Sequence, residues 1–171
     1  MQGRRISIKC IIIYCLLLLI FYVLETSAGL HIRILGFRLD FLPAIVASVA
    51  LCGGSAEGAI VGLLAGILYD RTGMQIEGIY PAYFMLFAIF AGFLGFKYLK
   101  KTVSAAVVLT IAAIAIQDAG KAFISLTILN RSSGLLMAKS ICGEILITAI
   151  LTPIVFFLVA KIHDKLKAED R

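Results

Sequence analysis

Apolar residues run through this chain in long blocks, and short polar stretches mark the gaps. The first block, Ile8 to Leu24, follows Arg4, Arg5 and Lys9 and has the length of one transmembrane helix. Residues 25–38 form a polar-studded connection in which Leu30, Ile34 and Phe37 recur at helical spacing, the mark of a short interfacial helix. Residues 39–69 carry only Asp40 and Glu57 as charges. A single helix of that length would measure about 46 Å, too long for a hydrocarbon layer of about 30 Å. Cys52-Gly53-Gly54-Ser55 is a turn signal, so the stretch predicts a hairpin of two short spans, 39–53 and 55–69, either crossing fully or re-entering. Residues 70–79 read as a loop. Spans follow at 80–96, at 103–129 and at 141–160, with Asn130 to Ser140 as a loop and Lys161 to Arg171 as a charged tail.

The pattern predicts an all-α membrane protein, a six-helix transmembrane bundle forming a single integral membrane domain over residues 1–171. Composition agrees. Of 171 residues 61% are apolar and 15% charged, with a mean hydropathy of +1.05, where a soluble domain is nearer a quarter charged. That excludes an ordinary soluble enzyme, a disordered segment and a nucleic-acid binder. The basic start, the apolar stretch and Thr26-Ser27-Ala28 also fit a cleavable signal peptide loosely. The hydrophobic remainder favours an uncleaved anchor.

Charge sets the expected orientation. Lys and Arg accumulate in cytoplasmic loops. With six spans and a cytoplasmic start, ten of the 16 Lys and Arg fall inside and five outside, Lys121 lying within a span. If residues 39–69 crossed only once, six would fall inside and nine outside. The first arrangement is expected, with both termini cytoplasmic. There is no Trp, so anchoring at the interfaces falls to the terminal Lys and Arg and to Tyr69, Tyr80 and Tyr98 at span ends.

Two constellations stand out. Gly54, Gly58, Gly62, Gly66 and Asp70 recur at a spacing of four. Glycine is a poor helix former in water. In lipid, small residues let two helix backbones approach closely. The stripe drifts about 40° per step around the helix and suits an angled crossing. It serves either packing within the bundle or docking of a partner's transmembrane helix. Asp70 ends that helix where a carboxylate opposes the macrodipole, so it belongs to the turn Asp70-Arg71-Thr72-Gly73, to loop architecture or to a partner contact. The second constellation is Gln117, Asp118 and Lys121, inside the fifth span. Charge there costs several kcal/mol and raises a functional hypothesis. Asp118 and Lys121 share a helix face, and Glu144 in the sixth span is in reach of Lys121 if the two helices pack. The readings are a register-fixing ion pair, a polar cavity for a small ligand or a proton, or a partner contact.

Other chemistry is sparse. Cys10, Cys15, Cys52 and Cys142 form no CxxC pair, and His31 and His163 lie at opposite ends of the chain, so no disulfide framework, zinc site or other metal site is expected. No catalytic motif and no cofactor-binding motif is present, and no catalytic residue is expected. Arg4, Arg5 and Lys9, with Lys97, Lys100 and Lys101, suit an anionic bilayer surface.

Asp40-Phe41-Leu42-Pro43, the Gly53-Gly54 turn, Gly58/Gly62/Gly66, Asp70, Gly73, Gly78 and Tyr83, with Gly92 and Gly95 in the following helix, together resemble the MreD family. MreD is the integral membrane component of the bacterial rod-shape (elongation) machinery. The resemblance covers residues 39–96; Ser55 and Glu57 stand where a basic turn residue is usual. It implies a non-enzymatic scaffold in the bacterial cytoplasmic membrane, without cofactor or nucleic acid. Its implied partners are a bitopic MreC-like protein and, beyond it, a RodA-type glycan polymerase with its transpeptidase and MreB filaments, all serving side-wall peptidoglycan synthesis and cell shape. The family is also similar in fold to the substrate-binding subunits of energy-coupling-factor vitamin transporters. That similarity implies the alternative, a transport subunit binding a small vitamin-like ligand near Gln117, Asp118, Lys121 and Glu144. As a scaffold, the chain is expected to offer Gly54, Gly58, Gly62, Gly66 and Asp70 to its partner, with Asp40, Pro43, Gly78 and Tyr83 as structural residues.

Overall fold

The computed structural model describes residues 8–27, 40–70, 78–97, 102–128 and 134–169, with side chains placed at 10–26, 40–70, 78–97, 102–120 and 145–166. Six helices follow in the expected order: α1 (Ile8–Ser27), α2 (Leu42–Gly53), α3 (Ser55–Asp70), α4 (Ile79–Lys97), α5 (Val103–Ile128) and α6 (Gly134–Glu169). No strand occurs among the described residues. Three helices are long and apolar enough to cross a membrane: α4, α5 over Val103–Gly120 and α6 over Ile145–Leu166.

The sixth helix departs from expectation. Residues 134–140 are helical rather than loop, and the charged tail continues the helix to Glu169. Apolarity marks where a helix meets oil, but helicity continues wherever nothing breaks it. Lys, Leu, Ala and Glu in the tail are all good helix formers. Pro153 inside α6 lacks the amide that would bond the carbonyl of Ala149. Nearby, the Thr152 hydroxyl donates to the Thr148 carbonyl at 2.7 Å.

Helix α2 is the centre of the molecule. It has 12 residues, every one of them buried, and at 1.5 Å per residue is about 18 Å long. A helix apolar on all sides belongs in an interior. Its small residues, Ala44, Ala47, Ser48 and Ala50, let neighbours close in on every side; α1, α3, α4, α5 and α6 all pack against it. Pro43 sits in its first turn, where a missing amide costs nothing. Ser48 satisfies its hydroxyl on the Ala44 carbonyl at 2.7 Å.

The α2–α3 break is Gly54, with φ +99°, a left-handed backbone that favours glycine. Gly54 is therefore the hinge of the hairpin and not the first member of the helical stripe. Glu57, in the first turn of α3, places its carboxylate where the helix dipole favours it.

The most extensive helix pair is α3 with α4. Glycines on both sides make it so. A Cβ added at Gly62 would lie 2.5 Å from the Phe84 carbonyl oxygen, and one at Gly66 would run into the Pro81 backbone. From the other side, a Cβ at Gly92 would lie 2.5 Å from the Ser55 amide nitrogen. The hairpin turn is thus seated directly on α4. Gly58 turns instead toward α2, where a Cβ would lie 2.9 Å from the Ala50 Cα. Large apolar side chains face outward from the bundle, among them Phe90, Phe96, Ile150 and Phe157.

Candidate functional site

The α3–α4 packing sets the ends of these helices side by side, and polar groups gather where α2 begins, α3 ends and α4 begins. Asp40, two residues ahead of α2, is 1% exposed. Tyr69, in the last turn of α3, donates its hydroxyl to Asp40 Oδ2 at 2.7 Å. Gln117, midway along α5, donates from Nε2 to the same Tyr69 oxygen, also at 2.7 Å. The lead-in to α2, the end of α3 and the middle of α5 are thereby tied by one chain of hydrogen bonds running from amide to phenol to carboxylate. The rings of Tyr80 and Phe84 flank Tyr69, with centroids 4.7 and 5.8 Å away. A second tie lies alongside: the Tyr83 hydroxyl donates to the Ala113 carbonyl of α5 at 2.6 Å. Asp118, 3% exposed, acts electrostatically on that phenol. Gln117 is 5% exposed, and its Oε1 has no hydrogen-bond partner.

Asp70 resolves a puzzle of the sequence. Its Oδ2 accepts the Gly78 amide at 2.6 Å. The carboxylate that opposes the dipole of α3 thus sits at the N-terminus of the antiparallel α4, where negative charge is favoured. Gly78 takes φ +92° to present that amide. Asp70 closes the 71–77 connection, which is the loop role foreseen as one of its alternatives.

The predicted site residues therefore separate into three groups. Gly58, Gly62 and Gly66 form a stripe, but α2 and α4 of the same chain fill it, leaving no room there for a partner's helix. The expectation of a docking face on those glycines is corrected in favour of internal packing: on α3 the outward face carries Ile60, Leu63 and Ile67 instead. Asp40 and Gln117 meet at Tyr69, Tyr83 and Asp118 belong to the second tie, and Pro43 and Gly78 serve helix starts. The side chains of Lys121 and Glu144 lie outside the described residues, as does Gly73.

Two features escaped the sequence reading, the burial of two tyrosines and a contact between distant helices. Tyr69 and Tyr80 were expected at the membrane interface; both are buried, and Tyr69 is the hub of the cluster. The only signal was its place beside Asp70, one turn beyond Gly66. The other is a buried contact between α1 and α6, Tyr14 Oη to His163 Nδ1 at 2.7 Å, joining residues 149 apart in a way no local pattern announces.

The arrangement can hold helices and accept hydrogen bonds. Among the described residues no group of three or more His, Cys, Asp or Glu is placed to hold a metal ion. No family model matches the chain, and no curated protein and no solved structure matches it.

Proposed function

We propose that this chain is a non-enzymatic scaffold of the bacterial cell-elongation complex, of the MreD type, in the cytoplasmic membrane with both termini inside. One observation carries the reading: the residues of the resemblance are spent on shape. Gly58, Gly62, Gly66 and Gly92 bring backbones together, Gly54 and Asp70 make the turns, and Asp40 and Tyr83 tie helices. A motif used this way supports a protein that works by presenting a rigid surface. The distribution of Lys and Arg supports the orientation, which puts the Asp40–Tyr69–Gln117 cluster toward the outer side. In this reading all six helices form the membrane bundle, with the short, buried α2 held inside it. The glycine stripe serves partners indirectly, by holding the form of the surface they meet.

Depletion in a rod-shaped host tests the reading. Rounded cells, together with recovery of a bitopic MreC-like partner from intact membranes, are expected; rods of normal shape and no such partner would overturn it. The second reading, a vitamin-binding transport subunit, draws on the burial of Gln117 and Asp118 within α5. It requires copurification with an ATPase module and a bound ligand.

A further inference from the structure

Gln117 makes the polar cluster more than a clamp. Its Nε2 donates into a chain that ends on the Asp40 carboxylate, through the Tyr69 hydroxyl. An amide that donates to such a chain gains electron density on its oxygen, because linked hydrogen bonds polarise one another in a low dielectric. Yet that oxygen, Oε1, is buried and accepts nothing. An amide oxygen left so inside a protein bears a desolvation cost that no bond returns, the greater where no water is near. The same chain of bonds brings a buried carboxylate, Asp40, to the Tyr69 hydroxyl.

From these atoms we infer that the cluster is a binding site for a small monovalent cation, held by Gln117 Oε1 with the Tyr69 oxygen and the Asp40 carboxylate that Tyr69 joins to it. The ligand type follows from the donors. Amide, phenol and carboxylate oxygens are hard and suit a hard cation. Among the described residues no thiolate or imidazole is placed with them, and no group of three carboxylates would draw a divalent ion. A compact charge is required, since Gln117 and Tyr69 are both buried. The site stands apart from the scaffold reading, and either holds without the other.

The test is thermal unfolding of the purified full chain in lipid nanodiscs, at equal ionic strength in sodium, potassium, ammonium or choline chloride. Binding to the folded state alone raises the midpoint. A rise of roughly 3–5 °C in one or more of the small cations over choline is expected. Gln117→Leu abolishes the difference, and Gln117→Glu keeps or enlarges it. Equilibrium binding of radioactive sodium to the wild-type chain, about one ion per chain and competed by the favoured cation, provides a readout that does not depend on a folded Leu variant. Equal midpoints in all four salts, with no bound sodium, would mean that Oε1 holds a water only and overturn the proposal. A response that persists in Gln117→Leu would place the ion elsewhere and overturn it too. A Lys121→Met variant that gains a response absent from the wild type would assign the position to the lysine's own ammonium, with the same consequence.

Discussion

The seam between α3 and α4 and the seam between α5 and the α3–α4 pair answer the same difficulty in different ways. Lipid offers helices no hydrophobic reason to associate, since its tails are as apolar as leucine. Along α3–α4 the answer is shape: Gly62, Gly66 and Gly92 remove side chains so that backbone meets backbone. Along α5 it is polarity: α4 and α5 pack sparsely, and Tyr83–Ala113 and Tyr69–Gln117 carry the join. The first kind of seam tolerates almost no added volume. The second tolerates volume but not loss of a donor or acceptor. The α3–α4 pair is thereby joined to α5 chiefly through a few directed bonds, while α2 packs against all three.

The comparison breaks most sharply at the glycines. Gly66→Leu drives a side chain into the Pro81 backbone, which cannot yield as a flexible side chain can. Overpacking of this sort costs up to about 3 kcal/mol or more. The expected result is loss of the folded chain in thermal unfolding in detergent micelles, or failure to accumulate in the membrane. A variant with an unchanged midpoint would mean that α3 and α4 do not meet there.

Next in size is Tyr69→Phe. The ring keeps its place against Tyr80 and Phe84, but Gln117 loses its acceptor and Asp40 loses a donor. Buried interhelical hydrogen bonds in membranes are worth about 0.6 kcal/mol on average and about 1.7 at most. A loss of about 1–2 kcal/mol is expected, measured as a lowered unfolding midpoint. The double variant with Gln117→Leu should lose less than the sum of the two single changes, because both act on one chain of bonds. Additive losses would show that Tyr69 and Gln117 do not interact.

These two seams also differ in how well they can be read without coordinates. The glycine stripe was visible because repeated glycine in an apolar helix has few uses, and its winding anticipated neighbours that change from α2 at Gly58 to α4 at Gly62 and Gly66. Which helix would fill it was not visible, because a stripe fits a foreign helix as well as a domestic one. Six helices were legible from the apolar blocks, whereas the length of α6 was not, since its ends are polar yet helical. Gln117 and Asp118 declared themselves by being polar inside a span. Tyr69, the partner of Gln117, did not, because a tyrosine at a span end reads equally well as an interfacial anchor. Its role depends on the distance between α3 and α5, a tertiary quantity that a separation of 48 positions in sequence does not encode locally.

The smallest effect sharpens the contrast because its sign reverses. Gly120 lies in α5, one turn beyond Gln117, and a Cβ there would meet nothing within 4 Å. It belongs to the seam that does not use glycine for close approach. Alanine in its place fills only open space and favours the helix by up to about 1 kcal/mol through backbone entropy. Gly120→Ala is therefore expected to raise the unfolding midpoint slightly and leave any cation response intact, while Gly62→Ala, 2.5 Å from a carbonyl oxygen, lowers the midpoint. The pair carries the same change in composition, so the difference between them isolates neighbour distance from helix propensity. If both raise the midpoint, propensity governs glycine throughout this chain, and the close approach of α3 to α4 is not what holds it together.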